Sequence, residues 1–165
     1  MKIGILSDTH DNLPKIKKAV EIFNQEKVEL VLHAGDFTSP FTSKEFKNLN
    51  SPLKGVFGNN DGDKLYLQEK FKEIGELYVG VYQTILNNKN IIMLHKEELI
   101  DALAKSQKFD LIIYGHTHRF DLRKIGGTLI INPGECGGWL TGKSTIALLD
   151  IKTWEAKIVE LTNSI

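Results

Sequence analysis

Five short apolar runs punctuate this chain, and each leads into a residue able to bind a metal ion. Ile3-Gly4-Ile5-Leu6 runs toward Asp8 and His10, Leu30-Val31-Leu32 toward Asp36, and Val56-Phe57 toward Asn59. Further on, Ile91-Ile92-Met93-Leu94 ends at His95, and Leu111-Ile112-Ile113-Tyr114 at His116 and His118. Such runs read as buried strands. Ligand sites of open α/β sheets lie beyond the carboxyl ends of the strands, so donors set there by separate strands converge on one spot. Between the runs the polar pattern predicts helices. Asp11 or Asn12 caps the first, with Pro14 in its first turn and Leu13, Ile16, Val20 and Phe23 as its apolar stripe. Strands are predicted over 2–7, 29–33 and 53–57, a second helix from Pro40 to about Leu49, and a shorter one near 64–73. Tyr78 to Leu86 and Asn90 to Leu94 read as paired strands turning at Asn87-Asn88-Lys89, and 97–107 as another helix. From Asp110 onward the pattern is strand only, with hairpins over Gly126-Gly127 and near Lys152-Thr153. No repeat or linker interrupts it, so one domain over residues 1–165 is expected.

Composition narrows the partners. A chain of 165 residues can bury a core without a disulfide or structural metal. The single cysteine, Cys136, has no internal partner and no signal segment opens the chain, which points to the cytoplasm. No apolar stretch reaches membrane-spanning length. The formal net charge is zero, so the basic excess that stable nucleic-acid binding draws on is missing. Arginine occurs only at positions 119 and 123, and the positive charge for a substrate phosphate must come from elsewhere.

Metal ions would supply it. Asp8 and His10 are two apart, as are His116 and His118, and in an extended chain such pairs point to one side. Four of the five histidines fall just beyond predicted strands, beside two Asp and one Asn in equivalent places. Seven donors of this kind suffice for two ions. Mixed imidazole, carboxylate and amide ligation suits transition metals such as Mn, Ni, Fe, Co or Zn and disfavours calcium. His33, still inside a strand, is expected to be structural or to support a ligand.

The motif blocks D-x-H, G-D, G-N-H-D, a later H and G-H-x-H stand here as Asp8-Thr9-His10, Gly35-Asp36, Gly58-Asn59-Asn60-Asp61, His95 and Gly115-His116-Thr117-His118. In that order they resemble the calcineurin-like metallophosphoesterases, most closely the compact prokaryotic phosphodiesterases, which also share Ser7-Asp8-Thr9-His10 and Asn132-Pro133-Gly134. The resemblance implies an α/β fold, a four-layer α/β/β/α sandwich of two mixed β-sheets flanked by helices. It further implies two divalent transition-metal ions, with Mn or Ni favoured. Asp8, His10 and His118 would hold one, Asn59, His95 and His116 the other, and Asp36 would bridge them. Asp36, Asn59, Asn60 and Asp61 are the implied catalytic residues. The activity implied is hydrolysis of a small phosphodiester by a metal-activated hydroxide, the paired cations outweighing the carboxylates and leaving a positive site. Three positions depart from the family pattern: Asn60 replaces a histidine that helps protonate the leaving group or bind the substrate phosphate, Lys96 a glycine, and Asp11 a glycine. A phosphomonoesterase and a protein-binding scaffold of the kind found in retromer are the competing functions. A homo-oligomer is left open.

Another motif points elsewhere. Gly137 to Ser144 satisfies the phosphate-loop pattern G-x-x-x-x-G-K-[ST], which needs a helix starting at the lysine. The residues that follow alternate instead, as Ala156, Ile158 and Leu161 show, and predict a hairpin. The segment therefore reads as a glycine-rich loop near the metal site, a rim for substrate with Trp139.

Overall fold

The computed structural model describes residues 1–162. Its elements in chain order are β1 (Lys2–Leu6), α1 (Leu13–Gln25), β2 (Leu30–His33), α2 (Ser43–Phe46), β3 (Leu53–Val56), α3 (Lys64–Phe71), β4 (Gly75–Tyr78), β5 (Val81–Leu86), β6 (Lys89–Leu94), α4 (Ile100–Lys105), β7 (Leu111–Ile113), β8 (Asp121–Ile125), β9 (Thr128–Asn132), β10 (Thr145–Asp150) and β11 (Glu155–Glu160). They form two mixed sheets. One has the order β11-β10-β1-β2-β3-β4, and the other β5-β6-β7-β9-β8. In the first, β1 to β4 run parallel and β10 is antiparallel to β1. In the second, β6, β7 and β9 run parallel and the edge strands β5 and β8 are antiparallel to them.

Alternation along the strands divides the apolar residues among three interfaces. Leu6, Val31 and Leu53 face the first helices and meet Phe23, Phe46 and Phe71. Ile3, Ile5 and Leu32 turn the other way and pack against Met93, Ile113 and Ile131 of the second sheet. Ile92, Ile112 and Ile130 lie on the outer face of that sheet, under Ile100 and Ala104 of α4. Three interfaces separate four layers, helices outside and sheets within. Central strands buried on both faces read as continuous apolar runs, which is why they stood out. No helix of the described residues is long and apolar enough to cross a membrane.

Four elements differ from the sequence reading. The helix expected over 40–49 is a single 3₁₀ turn, Pro40–Thr42, followed by the short α2. The helix expected over 97–107 narrows to α4. The strand expected over 78–86 is two strands in different sheets, because Gly80 at φ +80° lets the chain leave β3's side and enter the second sheet. The hairpin that follows turns on Asn87 and Asn88 alone, both at positive φ, with Leu86 paired to Lys89. Of the two possible caps of α1, Asn12 accepts the Lys15 N–H at 3.4 Å, while the Asp11 carboxylate takes the N–H and hydroxyl of Ser39.

α1 sits close on β1 because Gly4 has no side chain: a methyl there would come within 2.6 Å of the Phe23 ring. Gly4→Ala must push that fully buried ring aside, at a cost of about 1–3 kcal/mol. Gly62, with no neighbour within 4 Å of the same position, is the control. Urea unfolding is expected to show the loss for Gly4→Ala and a change within about 0.5 kcal/mol for Gly62→Ala; equal effects would mean the helix does not bear on β1 at that point.

Candidate metal centre

Parallel strands from both sheets end on one edge of the sandwich. Beyond β1 lie Asp8 and His10, beyond β2 Asp36, beyond β3 Asn59, beyond β6 His95, and beyond β7 His116 and His118. The segments carrying the D-x-H and H-x-H pairs are not extended, as the spacing argument assumed. Asp8, His10, Asp36, His116 and His118 all have positive φ, between 40° and 65°. The chain reverses at each of them, and the turns, not strand pleating, aim both members of a pair inward. Gly115 lets the loop after β7 press against Ser7 and Asp8, closing the edge.

Two groups of donors result. Asp8, His10 and His118 form one and Asp8, Asp36 and His95 the other, the donor atoms in each lying within 4.8 Å of one another. Asp8 Oδ1 is 3.7 Å from His10 Nε2 and 3.5 Å from His118 Nε2. Asp36 Oδ2 lies 3.5 Å from the Nε2 atoms of both His10 and His95. Both carboxylates are fully buried, and Asp8 Oδ1 and His10 Nε2 have no hydrogen-bond partner among the described residues. Unsatisfied buried polar atoms are costly, and a cation among them would satisfy all at once. The second group shows the same fit. His95 Nδ1 lies 2.8 Å from the Ala34 carbonyl and must donate to it, so Nε2, 2.9 Å from the Asn59 carbonyl oxygen, is the nitrogen turned toward Asp36. A proton on Nε2 satisfies the Asn59 oxygen, and a cation accepted by both atoms would take that proton's place.

The electrostatics agree. Burial works to raise the Asp36 pKa, but His95 and the two N–H donors of Asn60 prevail and hold its carboxyl well below the usual range. His10 and His95 shift upward despite burial, because Asp8 and Asp36 favour a positive imidazole. The carboxylates thus set a field that a cation would fill.

The remaining sequence candidates occupy distinct places. His33 is buried and stacked on Phe37 at 3.6 Å between ring centroids; its Nδ1 accepts the Gly35 N–H, and its Nε2 lies 3.2 Å from the Thr9 hydroxyl. Burial drives its pKa far down, so it is a neutral brace under the two ligand loops. His116 gives its backbone N–H to Asp8 Oδ2, and its ring stands 5.0 Å from that of His95, with Nε2 4.0 Å from Glu97. It borders both donor groups but belongs to neither. Asn60 clamps Asp36, its backbone N–H on Oδ1 at 2.8 Å and its amide on Oδ2 at 2.7 Å. Asp61 accepts the N–H groups of Asp36, Thr38 and Gly58, so its carboxylate is spent on bracing the loops.

Sequence reasoning named Asn132 only as part of a shared segment, with no role, and missed Glu135. β9 read as half of a local hairpin, whereas it also pairs in parallel with β7, so its carboxyl end reaches the same edge. The Asn132 amide holds the Gly115 carbonyl and the Thr117 hydroxyl, fixing the turn that carries His116 and His118. Glu135 is fully buried, with Oε1 3.2 Å from His118 Nδ1. Its two oxygens also accept the N–H groups of Trp139, Leu140 and Thr141. Recognising Thr128–Asn132 as a further apolar run ending at the site would have found both residues.

Over residues 1–154 the chain matches the calcineurin-like phosphoesterase superfamily domain. A phosphodiesterase of Methanocaldococcus jannaschii is 44% identical over 165 residues, 98% of this chain and 99% of that protein. The solved structure of an archaeal phosphodiesterase superposes with a TM-score of 0.92 at 42% identity, covering 97% of this chain and 99% of that one. The zinc complex of Vps29 from Entamoeba histolytica shares the fold at a TM-score of 0.69 and 17% identity, over 98% of this chain and 100% of that one. The chain therefore belongs to the calcineurin-like phosphoesterase superfamily.

Proposed function

We propose that this protein is a phosphodiesterase that hydrolyses a small phosphodiester, using two divalent transition-metal ions held between its sheets, Mn or Ni ahead of Fe, Co or Zn. The observation that carries the reading is the pair of donor groups sharing Asp8, with buried atoms left unpartnered. Full-length similarity to an archaeal phosphodiesterase supports it. In this reading Asp8, His10 and His118 hold one ion and Asn59, His95 and His116 the other. Asp36 serves both, which its equal 3.5 Å approach to His10 and His95 supports. When bound, the ions supply the positive charge that receives the phosphate and the acidity that makes a water nucleophilic near neutral pH. The chain's own residues do the rest. Asn60 and Asp61 hold Asp36 in place, His33 props the loops from below, and Glu135 faces the far side of the His118 ring.

One feature favours a diester over a monoester. Arg123 is committed to Asp101 and Asp121, which leaves Arg119 as the sole guanidinium near the site, short of a clamp for a dianion. A pure scaffold has no need of the full donor set, nor of a buried Asp8 oxygen left without a partner among the described residues. The neutral net charge argues against a stable nucleic-acid complex, and cytoplasmic residence fits the lone buried thiol of Cys136.

Chelation with EDTA is expected to abolish hydrolysis of bis-p-nitrophenyl phosphate, with Mn or Ni restoring it and Ca failing to. Full turnover by protein that elemental analysis finds free of metal would sink the mechanism. Asp36→Asn is expected to lower kcat by more than about 100-fold and to reduce bound metal below that of the wild type; unchanged metal content and rate would remove Asp36 from the site.

Asn60 makes a sharper prediction. An amide cannot protonate the departing oxygen, so rate should fall steeply as leaving-group pKa rises, and aryl diesters should outpace alkyl ones. Asn60→His, at matched metal occupancy, should flatten that dependence by helping poor leaving groups most. Parallel slopes of log kcat/KM against leaving-group pKa in the two proteins would mean that another group already delivers the proton.

A further inference from the structure

Trp139 is 65% exposed, yet it is not free to move. Its indole N–H donates to the His10 carbonyl at 3.0 Å, and its backbone N–H to Glu135 at 2.7 Å. The loop that carries it is sewn to the first ligand loop: Cys136 N–H bonds the Ser7 carbonyl, Gly137 N–H the Asp8 carbonyl, and the Asn12 amide the Gly137 carbonyl. Gly137 approaches so closely that an added methyl would lie 2.9 Å from the Thr9 carbonyl. A large aromatic surface is thus held rigidly in water, fastened to a residue proposed to bind metal. Nothing in the core requires it there.

The indole walls a cavity of about 250 Å³ whose other sides are His10, Asn60, His118, Glu135 and Leu140. Any phosphate placed between the donor groups would have this cavity beside it. A second cavity, of about 340 Å³, opens on the opposite flank against Asn59 and the buried ring of His95, walled by Val81, Leu94 and Leu99, with Phe57 its sole Phe, Tyr or Trp and nearly buried. The two flanks offer different chemistry. A diester carries two ester groups, and the flank with the exposed, immobilised ring favours a planar one. Bases and aryl rings stack on an exposed aromatic face whatever their sequence, and a ring already fixed in place loses little freedom on binding.

Resting on the phosphodiesterase reading above, we infer that Trp139 is a stacking platform that selects diesters bearing a planar aromatic ester group, an aryl ring or a nucleobase, on the His10 and His118 side. The indole N–H is already used, so recognition is through the ring face. Leu140 extends the apolar surface beyond it.

The test uses Mn-loaded protein and three competitive ligands against bis-p-nitrophenyl phosphate: dimethyl phosphate, methyl phenyl phosphate and thymidine 5′-methyl phosphate. Wild type is expected to bind at least one ring-bearing ligand about tenfold or more tighter than dimethyl phosphate. Trp139→Ala should erase that preference. Trp139→Phe, which lacks the indole N–H but keeps a ring, should recover most of it, separating stacking from any effect through the His10 carbonyl. In a Trp154→Phe background, the ring-bearing ligand should also quench the remaining tryptophan. A preference for thymidine over phenyl identifies the ring as a nucleobase, and the reverse as a simple aryl group. A preference that survives Trp139→Ala, or its absence in the wild type, overturns the inference. Diester hydrolysis indifferent to rings would leave the proposed function standing, whereas no diester hydrolysis at all, with ring-dependent quenching intact, would overturn that function alone.

Discussion

Left-handed backbone costs an L-residue about 1–2 kcal/mol, and this chain adopts it at Asp8, His10, Asp36, His116 and His118, all on one edge of the sandwich. The sum is a sizeable fraction of a domain's net stability of about 5–15 kcal/mol. Such conformations persist only where the surroundings over-determine them. Here the determinants are backbone bonds between neighbouring loops: Asp8 N–H to the Gly35 carbonyl at 2.9 Å, His10 N–H to the Asp36 carbonyl at 3.1 Å, and Asp11 N–H to the Phe37 carbonyl at 3.3 Å. The loop after β2 therefore templates the loop after β1, and the Asn132 amide does the same for the turn after β7. Parallel strands bring these loops side by side, and the strained turns point their side chains inward.

Much of this was legible because two signals coincide. Strands buried on both faces are continuous apolar runs, and the polar residue that ends each run is the one the fold delivers to the common edge. Asp8, Asp36 and His95 were found that way, and they come together as one donor group. The geometry of the turns was not legible. Periodicity speaks of extended or helical chain, and nothing in Asp8-Thr9-His10 announces two left-handed residues. Pairing partners were equally hidden, since β9 looks the same from sequence whether it pairs only with β8 or also with β7. That ambiguity concealed Glu135. The break at Gly80 was missed for a related reason: apolar alternation continues across it, and only the sheet assignment shows that β4 and β5 belong to different layers.

Charge and geometry depend on one another at this edge. Two fully buried carboxylates, Asp8 and Asp36, repel each other and lose hydration, a combination that a fold tolerates only with positive charge close by. Among the described residues the ion pairs of Asp8 and Asp36 are with histidines, not with lysine or arginine. The groups that line the two carboxylates are imidazoles and amides, which carry no fixed charge and leave the anionic field largely open. The upward shift of His10 and His95 expresses the same field acting on the nearest groups able to accept a proton. A neutral protein with few arginines thus concentrates buried negative charge at one place, and cations held there, as proposed above, would turn that place positive.

Glu135 resolves the phosphate-loop match of Gly137 to Ser144. In a nucleotide-binding loop the backbone N–H groups converge on a phosphate, and here those of Trp139, Leu140 and Thr141 converge on an internal carboxylate instead. No helix follows, because Thr145 begins β10. The loop has the anion-binding geometry that its glycines allow, but its anion belongs to the chain. The same carboxylate approaches His118 Nδ1, so one buried group both orders the loop that carries the exposed Trp139 ring and faces an imidazole of the donor cluster. The Trp139 loop and the donor cluster are thereby joined through a single side chain, and a change at Glu135 must be felt at both.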